Sequence, residues 1–193
     1  MAITPRLVAL WLIAAASVGL GTWASVRYLA RPAAPPPALA DARRDTAEGR
    51  RIKATLFYIA ADGVRLEAAE RDVAYADGTA EQAKRILEAL LDPAPAGRAS
   101  AIPAGTTLRG VYLGDQGAAY VDFSGTLRSG HPGGSMNEIL TVYAIVSSVT
   151  ANLPAVTSVQ ILIDGHEADT LAGHVDLRRP LAPAAQWTEK GPS

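Results

Sequence analysis

The sequence contains no cysteine among its 193 residues. This absence excludes disulfide bonds, thiolate metal sites, a cysteine nucleophile and the lipid-modified cysteine of a lipoprotein. The formal net charge is only −1, so the excess of basic residues that marks a nucleic-acid-binding surface is missing as well. The fold must therefore be held together by its hydrophobic core, and nucleic acid is not an expected partner.

Charge is absent from residues 7–26, a mainly apolar run near the amino terminus. As a helix this run would be about 30 Å long, which is the thickness of the hydrocarbon core of a bilayer. A cleaved signal peptide is the alternative, but its apolar core is usually shorter, ~7 to 15 residues. We therefore predict a cytoplasmic amino terminus (1–6), a single-pass anchor in the cytoplasmic membrane (7–29) and an extracytoplasmic domain, in the periplasm or on the cell-wall side.

Residues 30–53 combine a Pro/Ala-rich half with a charged half and contain few large apolar side chains. Such a segment cannot bury enough surface to offset its loss of chain entropy, and we interpret it as a linker. Residues 54–180 then form one folded domain, followed by a flexible carboxyl-terminal tail at 181–193. Outside the cytoplasm this domain would meet the wall, the membrane surface and other envelope proteins rather than ATP or NAD(P)H, so no cofactor is expected.

The first half of the domain alternates between strand and helix patterns. Pairs of β-rich segments around tight Gly-containing turns predict two hairpins, at residues 55–67 and 107–123. Between them, residues 79–91 carry apolar side chains at helical spacing and predict an amphipathic helix. Thr79 followed by Gln82 matches a capping box at its start, and Asp92-Pro93 ends it.

The second half opens with a glycine-rich segment, residues 124–134, which is predicted to be an irregular, mobile or ligand-holding loop. It leads into Ser135, which forms a second capping-box pattern with Glu138, and an apolar stripe predicts a helix over residues 135–150. The last predicted strands are at residues 156–163 and 171–177. The order β-β-α-β-β-α-β-β indicates the α+β class, a mixed β-sheet with two helices packed on one face.

Five sequence blocks stand out in this domain: VDFS (121–124), GGS (133–135) followed by Glu138, YAIV (143–146), VQILIDG (159–165) and TLAGHVD (170–176). In their order and spacing, these blocks resemble a GerMN domain. The GerMN domain is the sporulation and spore germination module of exported or membrane-anchored bacterial envelope proteins, and the resemblance covers about residues 54–180. It implies a fold similar to the ring-building motifs of sporulation secretion complexes, and a wall-associated or assembly role without catalysis.

Three chemical sites can be composed from the polar residues of the domain. Asp122, His131 and Ser135 are the parts of a nucleophilic triad, but Ser135 lacks the Gly-x-Ser-x-Gly elbow. Asp122 and Glu138 could be the carboxylate pair of a glycan hydrolase, but Glu138 is also explained by the capping box. Four residues near the last predicted turn lack the spaced histidine pair of zinc proteases and are interpreted as solvated loop positions: His166, Glu167, Asp169 and His174. We expect no catalytic residue and no metal site.

The glycine-rich loop is the best candidate for contact with something outside the protein. Its small residues expose main-chain N–H groups, and its two basic side chains could meet the carboxylates of peptide stems or an acidic protein surface. The candidate binding residues are Arg128, His131, Gly133, Gly134, Ser135 and Glu138.

Together these features predict a non-enzymatic envelope module that binds peptidoglycan or a partner protein at the cell wall, in envelope or sporulation-type assembly. The structural alternative is a ring- or filament-forming scaffold subunit of a membrane complex, which would make the protein a homo-oligomer. A cell-wall hydrolase that uses Asp122 and Glu138 is the second alternative.

Overall fold

The computed structural model describes residues 49–188. The predicted anchor, residues 7–29, lies outside the described residues, as do the predicted cytoplasmic residues 1–6, residues 30–48 of the predicted linker and residues 189–193 of the predicted tail. Within residues 49–188, no helix is long and apolar enough to cross a membrane.

The described chain has an α+β fold. The predicted order of hairpins, helices and strands is confirmed as far as the strand predicted at residues 156–163, with one added helical turn after the fourth strand; the predicted last strand differs, as described below. The elements are β1 (Arg51–Ile59), β2 (Leu66–Ala74), α1 (Thr79–Leu91), β3 (Leu108–Leu113), β4 (Ala118–Phe123), α2 (Thr126–Ser129), α3 (Ser135–Thr150), β5 (Ser158–Ile163) and β6 (His166–Glu167), with 3₁₀ turns at Asp115–Gly117 and Ala185–Trp187.

The strands form two sheets rather than the one sheet that is predicted, and the larger of the two is mixed, as predicted. β1 and β2 form an antiparallel pair, and the second sheet has the order β3-β4-β5-β6 with β4 and β5 parallel. Side chains from the end of α3 and from the turn that follows it bond to the free edge of β1. Ser148 Oγ accepts the N–H of Phe57 at 3.0 Å, and Asn152 Oδ1 accepts the N–H of Thr55 at 2.9 Å. Because these side chains satisfy the backbone groups that another strand would use, β1 does not continue the larger sheet.

The main hydrophobic core lies where α1 and α3 meet the two sheets. α1 contacts β2 and β3, α3 contacts β1 and β5, and the two helices contact each other. The apolar face predicted for α1 is confirmed, since Ile86 and Leu87 are fully buried. They belong to one cluster with Phe123 of β4 and Ile145 of α3. In a chain without disulfides, burial of these side chains is the main stabilising contribution.

The helix α1 has the predicted bounds but not the predicted capping box. Gly78, at φ 86°, is the N-cap residue, and it has no side chain to offer. Gln82 is buried and uses its amide elsewhere, because Oε1 accepts the N–H of Ala76 at 2.9 Å and Nε2 donates to the carbonyl of Ala74 at 3.3 Å. The side chain expected to cap the helix thus ties the helix to the end of β2.

Both predicted domain boundaries shift outward. β1 begins at Arg51, inside the segment predicted to be linker. At the other end, Leu181 exchanges backbone hydrogen bonds with Val159, and Thr188 forms a bridge to Leu66. Residues 181–188 are therefore part of the fold rather than a flexible tail.

The segment at residues 171–177 is not the strand that its alternating pattern predicts. β5 pairs with β6 instead, and the segment forms a loop in which Leu177 N–H donates to the carbonyl of Asp169 at 2.8 Å. Leu171 and Leu177 are both buried in the main core. The apolar alternation comes from packing of a loop, not from strand pairing.

Candidate functional site

Two loops lie together at one edge of the larger sheet. They are the glycine-rich loop (residues 124–134) and the second loop (residues 164–177). They follow β4 and β5, which run parallel and in register up to the pair Phe123 and Ile163. Because the carboxyl ends of neighbouring parallel strands meet at the same edge, the chain places both loops side by side, in the position where ligands commonly bind to such sheets.

Hydrogen bonds join the two loops. The N–H of Gly125 donates to Asp164 Oδ1 at 3.1 Å. Arg128, an exposed side chain of the glycine-rich loop, donates to the carbonyl of Thr170 at 2.8 Å. The guanidinium of Arg128 is thus oriented by the second loop.

The glycine-rich loop is less irregular than predicted, because the helical turn α2 lies within it. Leu127 is the only large aliphatic residue of the loop, and it is fully buried in the main core. This one side chain anchors a segment that is otherwise made of small and polar residues.

Glu138 is the most unusual residue of the site, since its carboxylate is 0% exposed. Oε1 accepts the N–H of Leu171 at 2.8 Å, and Oε2 accepts the N–H of His174 at 2.8 Å and contacts His174 Nδ1 at 3.1 Å. The predicted capping box with Ser135 is therefore wrong. Gly134 is the N-cap residue, and Ser135 is the exposed first residue of α3.

These contacts keep Glu138 ionised. Burial by itself raises the pKa of a carboxyl, but the backbone N–H groups of the second loop stabilise the charged form, and the pKa of Glu138 lies below its ordinary value of 4.5. The N–H groups belong to Ala172, His174, Leu171 and Val175. A glycosidase needs an acid whose pKa is raised so that it can donate a proton. Glu138 has the opposite electrostatic environment.

Asp122 is also buried, and its two oxygens already have partners. Oδ1 accepts the N–H of Gly165 at 2.8 Å, and Oδ2 accepts from Arg109 Nε at 3.0 Å. Arg109 also lies 3.6 Å from Asp164 through Nη1. Sequence reasoning missed Arg109. The register of the second hairpin, in which Gly110 faces Asp122, is the signal that could have found it.

His131 is held by two hydrogen bonds within the domain. Nδ1 accepts the N–H of Gly133 at 3.0 Å, so Nε2 carries the proton and donates to Thr141 Oγ1 at 3.2 Å. Thr141 in turn donates to the carbonyl of Ala101 at 2.6 Å. With both ring nitrogens in use, His131 is not paired with Ser135 or Asp122, and the triad is not assembled.

The residues considered for metal binding do not share one site, because each histidine among them contacts a different group. His166 Nδ1 contacts the carbonyl of its neighbour Asp164 at 2.8 Å, whereas His174 contacts Glu138. Across the described ranges, no group of three or more histidine or acidic side chains is arranged to hold a metal ion.

The remaining exposed part of the site is the amino-terminal surface of α3, residues 133–137. Gly133 and Gly134 have φ values of 79° and 84°, which L-residues rarely adopt, and this explains the glycine pair. Ser135 and Met136 are exposed, with Met136 at 37%. As far as the described residues go, no side chain caps α3. The first N–H groups of the helix are therefore available to a partner.

The site thus consists of two parts: the buried carboxylates of Asp122 and Glu138, which hold the loops in place, and the exposed start of α3. Together with the two sheets and two long helices it defines a GerMN-type α+β domain. The family profile described as "Germane: Sporulation and spore germination" matches residues 55–169. The chain belongs to this sporulation and spore germination family.

Two solved structures show the same fold. The tandem GerMN domains of the sporulation protein GerM from Bacillus subtilis match with a TM-score of 0.54 and 18% identity over 69% of this chain, which spans 46% of that chain. The first GerMN domain of the same Bacillus subtilis protein matches with a TM-score of 0.52 and 20% identity, over 70% of this chain and 98% of that one. Comparison with curated protein sequences returns no match.

Proposed function

We propose that this protein is a non-enzymatic envelope module that binds peptidoglycan or a partner protein at the cell wall, in envelope or sporulation-type assembly. In this proposal residues 7–29 anchor the chain in the cytoplasmic membrane, and the GerMN domain lies outside the cytoplasm. Membership of the sporulation and spore germination family supports a role in envelope or sporulation-type assembly. The amino-terminal surface of α3 supports binding as the way in which the domain acts.

The observation that carries the proposal is that this surface is exposed and held firmly from behind. Asn137 Nδ2 donates to the carbonyl of Gly133 at 2.8 Å, while His131 accepts the Gly133 N–H. One residue further into α3, Glu138 is fixed by the second loop. A surface that is already ordered loses little conformational entropy on binding, and this favours recognition.

The charges on this surface suit a carboxylate partner. The first N–H groups of α3 lie at the positive end of the helix dipole and lack a side-chain cap within residues 49–188. Arg128, in the glycine-rich loop that leads into this surface, supplies an exposed guanidinium that is oriented by Thr170. Peptide stems of the wall and acidic protein surfaces both present carboxylates, so both remain within the proposal.

A substitution at Met136 tests this surface. Met136→Glu places an acidic side chain in the first turn of α3, where the helix dipole favours it, so the fold is expected to stay intact. The new charge repels carboxylates, and we expect about tenfold weaker binding, the loss typical of one important contact. Binding to peptidoglycan is measured by co-sedimentation of the full chain with purified sacculi. Binding to a protein partner is measured separately, by cross-linking of the full chain to envelope extract.

Val64→Glu is the matched control, because Val64 is also an exposed apolar residue but lies in the turn between β1 and β2. It should bind like the unmodified chain. If Met136→Glu retains unmodified binding in both arms, the amino-terminal surface of α3 is not the recognition surface.

A second candidate function, a self-associating scaffold, is favoured by the edge of the larger sheet. β3 is the terminal strand of that sheet, and Tyr112 and Leu113 at its end are 59% and 49% exposed. Exposed apolar side chains on an edge strand favour pairing with another copy. In this function Tyr112→Glu converts oligomers of the full chain into monomers in sedimentation velocity experiments at high concentration. A sedimentation coefficient that is already monomeric in the unmodified chain removes this candidate.

A further inference from the structure

A cleft of about 500 Å³ lies among the end of α3, β1 and the carboxyl-terminal segment that contains the last 3₁₀ turn. Its volume falls within the range of small-molecule binding sites, roughly 300 to 1,000 Å³. The residues that line it include Phe57, Ser147, Thr150, Ala151, Thr157 and Thr188. None of the lining residues is charged, so the cleft favours an uncharged occupant.

The walls of the cleft are fixed by packing. Trp187 lies against Tyr143 of α3 with ring centroids 6.5 Å apart, and the bridge between Thr188 and Leu66 holds the end of the same segment. Phe57, which also lines the cleft, donates its backbone N–H to Ser148 of α3. The cleft is therefore formed before any ligand arrives.

Ser147 is the feature that points to a ligand. Its side chain is only 4% exposed, and among the described residues its Oγ has no hydrogen-bond partner. Buried hydroxyl groups nearly always have a partner, because leaving one unpaired costs stability. Ser148 and Thr150 on the same helix follow this rule, since Ser148 Oγ accepts from Phe57 and Thr150 Oγ1 donates to the carbonyl of Val146.

We propose that this cleft binds an uncharged, mainly apolar small molecule whose carbonyl or hydroxyl oxygen accepts a hydrogen bond from Ser147. The apolar walls take up the body of the molecule, and Ser147 fixes its orientation. Three threonines also line the cleft, but their hydroxyl groups already donate to backbone carbonyls, so Ser147 supplies the donor for the ligand; they are Thr150, Thr157 and Thr188. This site uses no residue of the amino-terminal surface of α3, so it is separate from the proposed wall-binding function.

The neutral naphthalene dye prodan is a suitable probe, because it is uncharged and apolar and carries a carbonyl group. The full chain is titrated in detergent solution against a blank of detergent alone, and saturable binding is read from the emission shift of the dye. We expect 1-octanol to displace the dye. We expect Met136→Glu to bind it normally.

Ser147→Ala separates a binding role from a structural one. Removing an unpaired buried hydroxyl should raise the midpoint of thermal unfolding by about 3 °C, yet weaken prodan binding about tenfold. The matched control is Ser148→Ala, which removes an acceptor that Phe57 uses and should lower the midpoint instead. A gain in stability together with a loss of binding is the signature of a polar group retained for a ligand.

Ala151→Trp gives an independent test, because Ala151 is exposed and lines the cleft, so a large ring there blocks it without entering the core. It should abolish saturable binding, whereas Ala61→Trp, at an exposed position in the first hairpin turn, should not. Saturable binding that is unchanged in both Ser147→Ala and Ala151→Trp would overturn the proposal, as would the absence of saturable binding to the unmodified chain.

Discussion

Glu138→Gln is expected to lower the free energy of unfolding by about 3 kcal/mol. Each oxygen of the Glu138 carboxylate accepts a backbone N–H, from Leu171 on one side and His174 on the other. Glutamine has one oxygen and one NH₂ group, so in either orientation an N–H donor faces another donor in a fully buried place. Urea unfolding of the full chain at neutral pH measures the loss.

The pH dependence of the same variant checks the cause. Because the pKa of Glu138 is lower in the folded protein than its ordinary value of 4.5, its contribution is fully present above that value. The contribution is lost as the pH falls through the folded pKa. The unmodified chain should therefore lose stability below pH 4.5, and the curve for Glu138→Gln should be flatter over this interval when followed down to about pH 3.

Glu88→Gln is the control for this experiment. Glu88 lies on the exposed side of α1 and pairs with Arg85 at 3.2 Å. Exposed pairs of this kind contribute at most ~1 kcal/mol, so this variant should unfold almost like the unmodified chain. Equal stability of the two glutamine variants would show that Glu138 does not hold the second loop.

The elements that could be predicted from the sequence are those whose cause is local. Helix α1 has both predicted ends, Thr79 and Leu91, because its apolar spacing and the following Asp92-Pro93 act within a few residues. The two hairpins were predictable for the same reason, since Gly-containing turns set the direction of the chain. The GerMN resemblance extended these local predictions to the family, which the profile match confirms.

The site could not be predicted from local patterns, because its contacts join distant parts of the chain. Glu138 stands three residues after Ser135, as in a capping box, but its partners are more than thirty residues further along. Gln82 departs from the same motif in the same way, since its amide bonds to the end of β2. A motif shows which bonds a side chain could make nearby. It does not show that the same side chain, when it is buried against a distant loop, finds a better set of hydrogen bonds there.

The residue type and the glycine-rich surroundings of His131 predict a place on the binding surface. Its contact with Thr141 depends on the path of α3 back past the loop, and no spacing in the loop indicates that path. Arg128 differs, because it is exposed and only its orientation is set by the fold. Of the predicted binding residues, the structure therefore gives His131 and Glu138 roles in holding the loops, while Arg128, Gly133, Gly134 and Ser135 stay in the proposal.

Leu127→Ala is expected to lower the free energy of unfolding by about 3 kcal/mol, the usual cost of truncating a fully buried leucine. Because Leu127 is the one large aliphatic anchor of the glycine-rich loop, the loss should be concentrated there and pass to the second loop through Gly125 and Asp164. Urea unfolding measures the total, and hydrogen exchange should show faster exchange at residues 124–134 and 164–177. Val64→Ala, a truncation at an exposed position, should change neither the free energy of unfolding nor the exchange rates. If Leu127→Ala behaves like Val64→Ala, the two loops are held by their hydrogen bonds alone. The amino-terminal surface of α3 would then not depend on the core for its order.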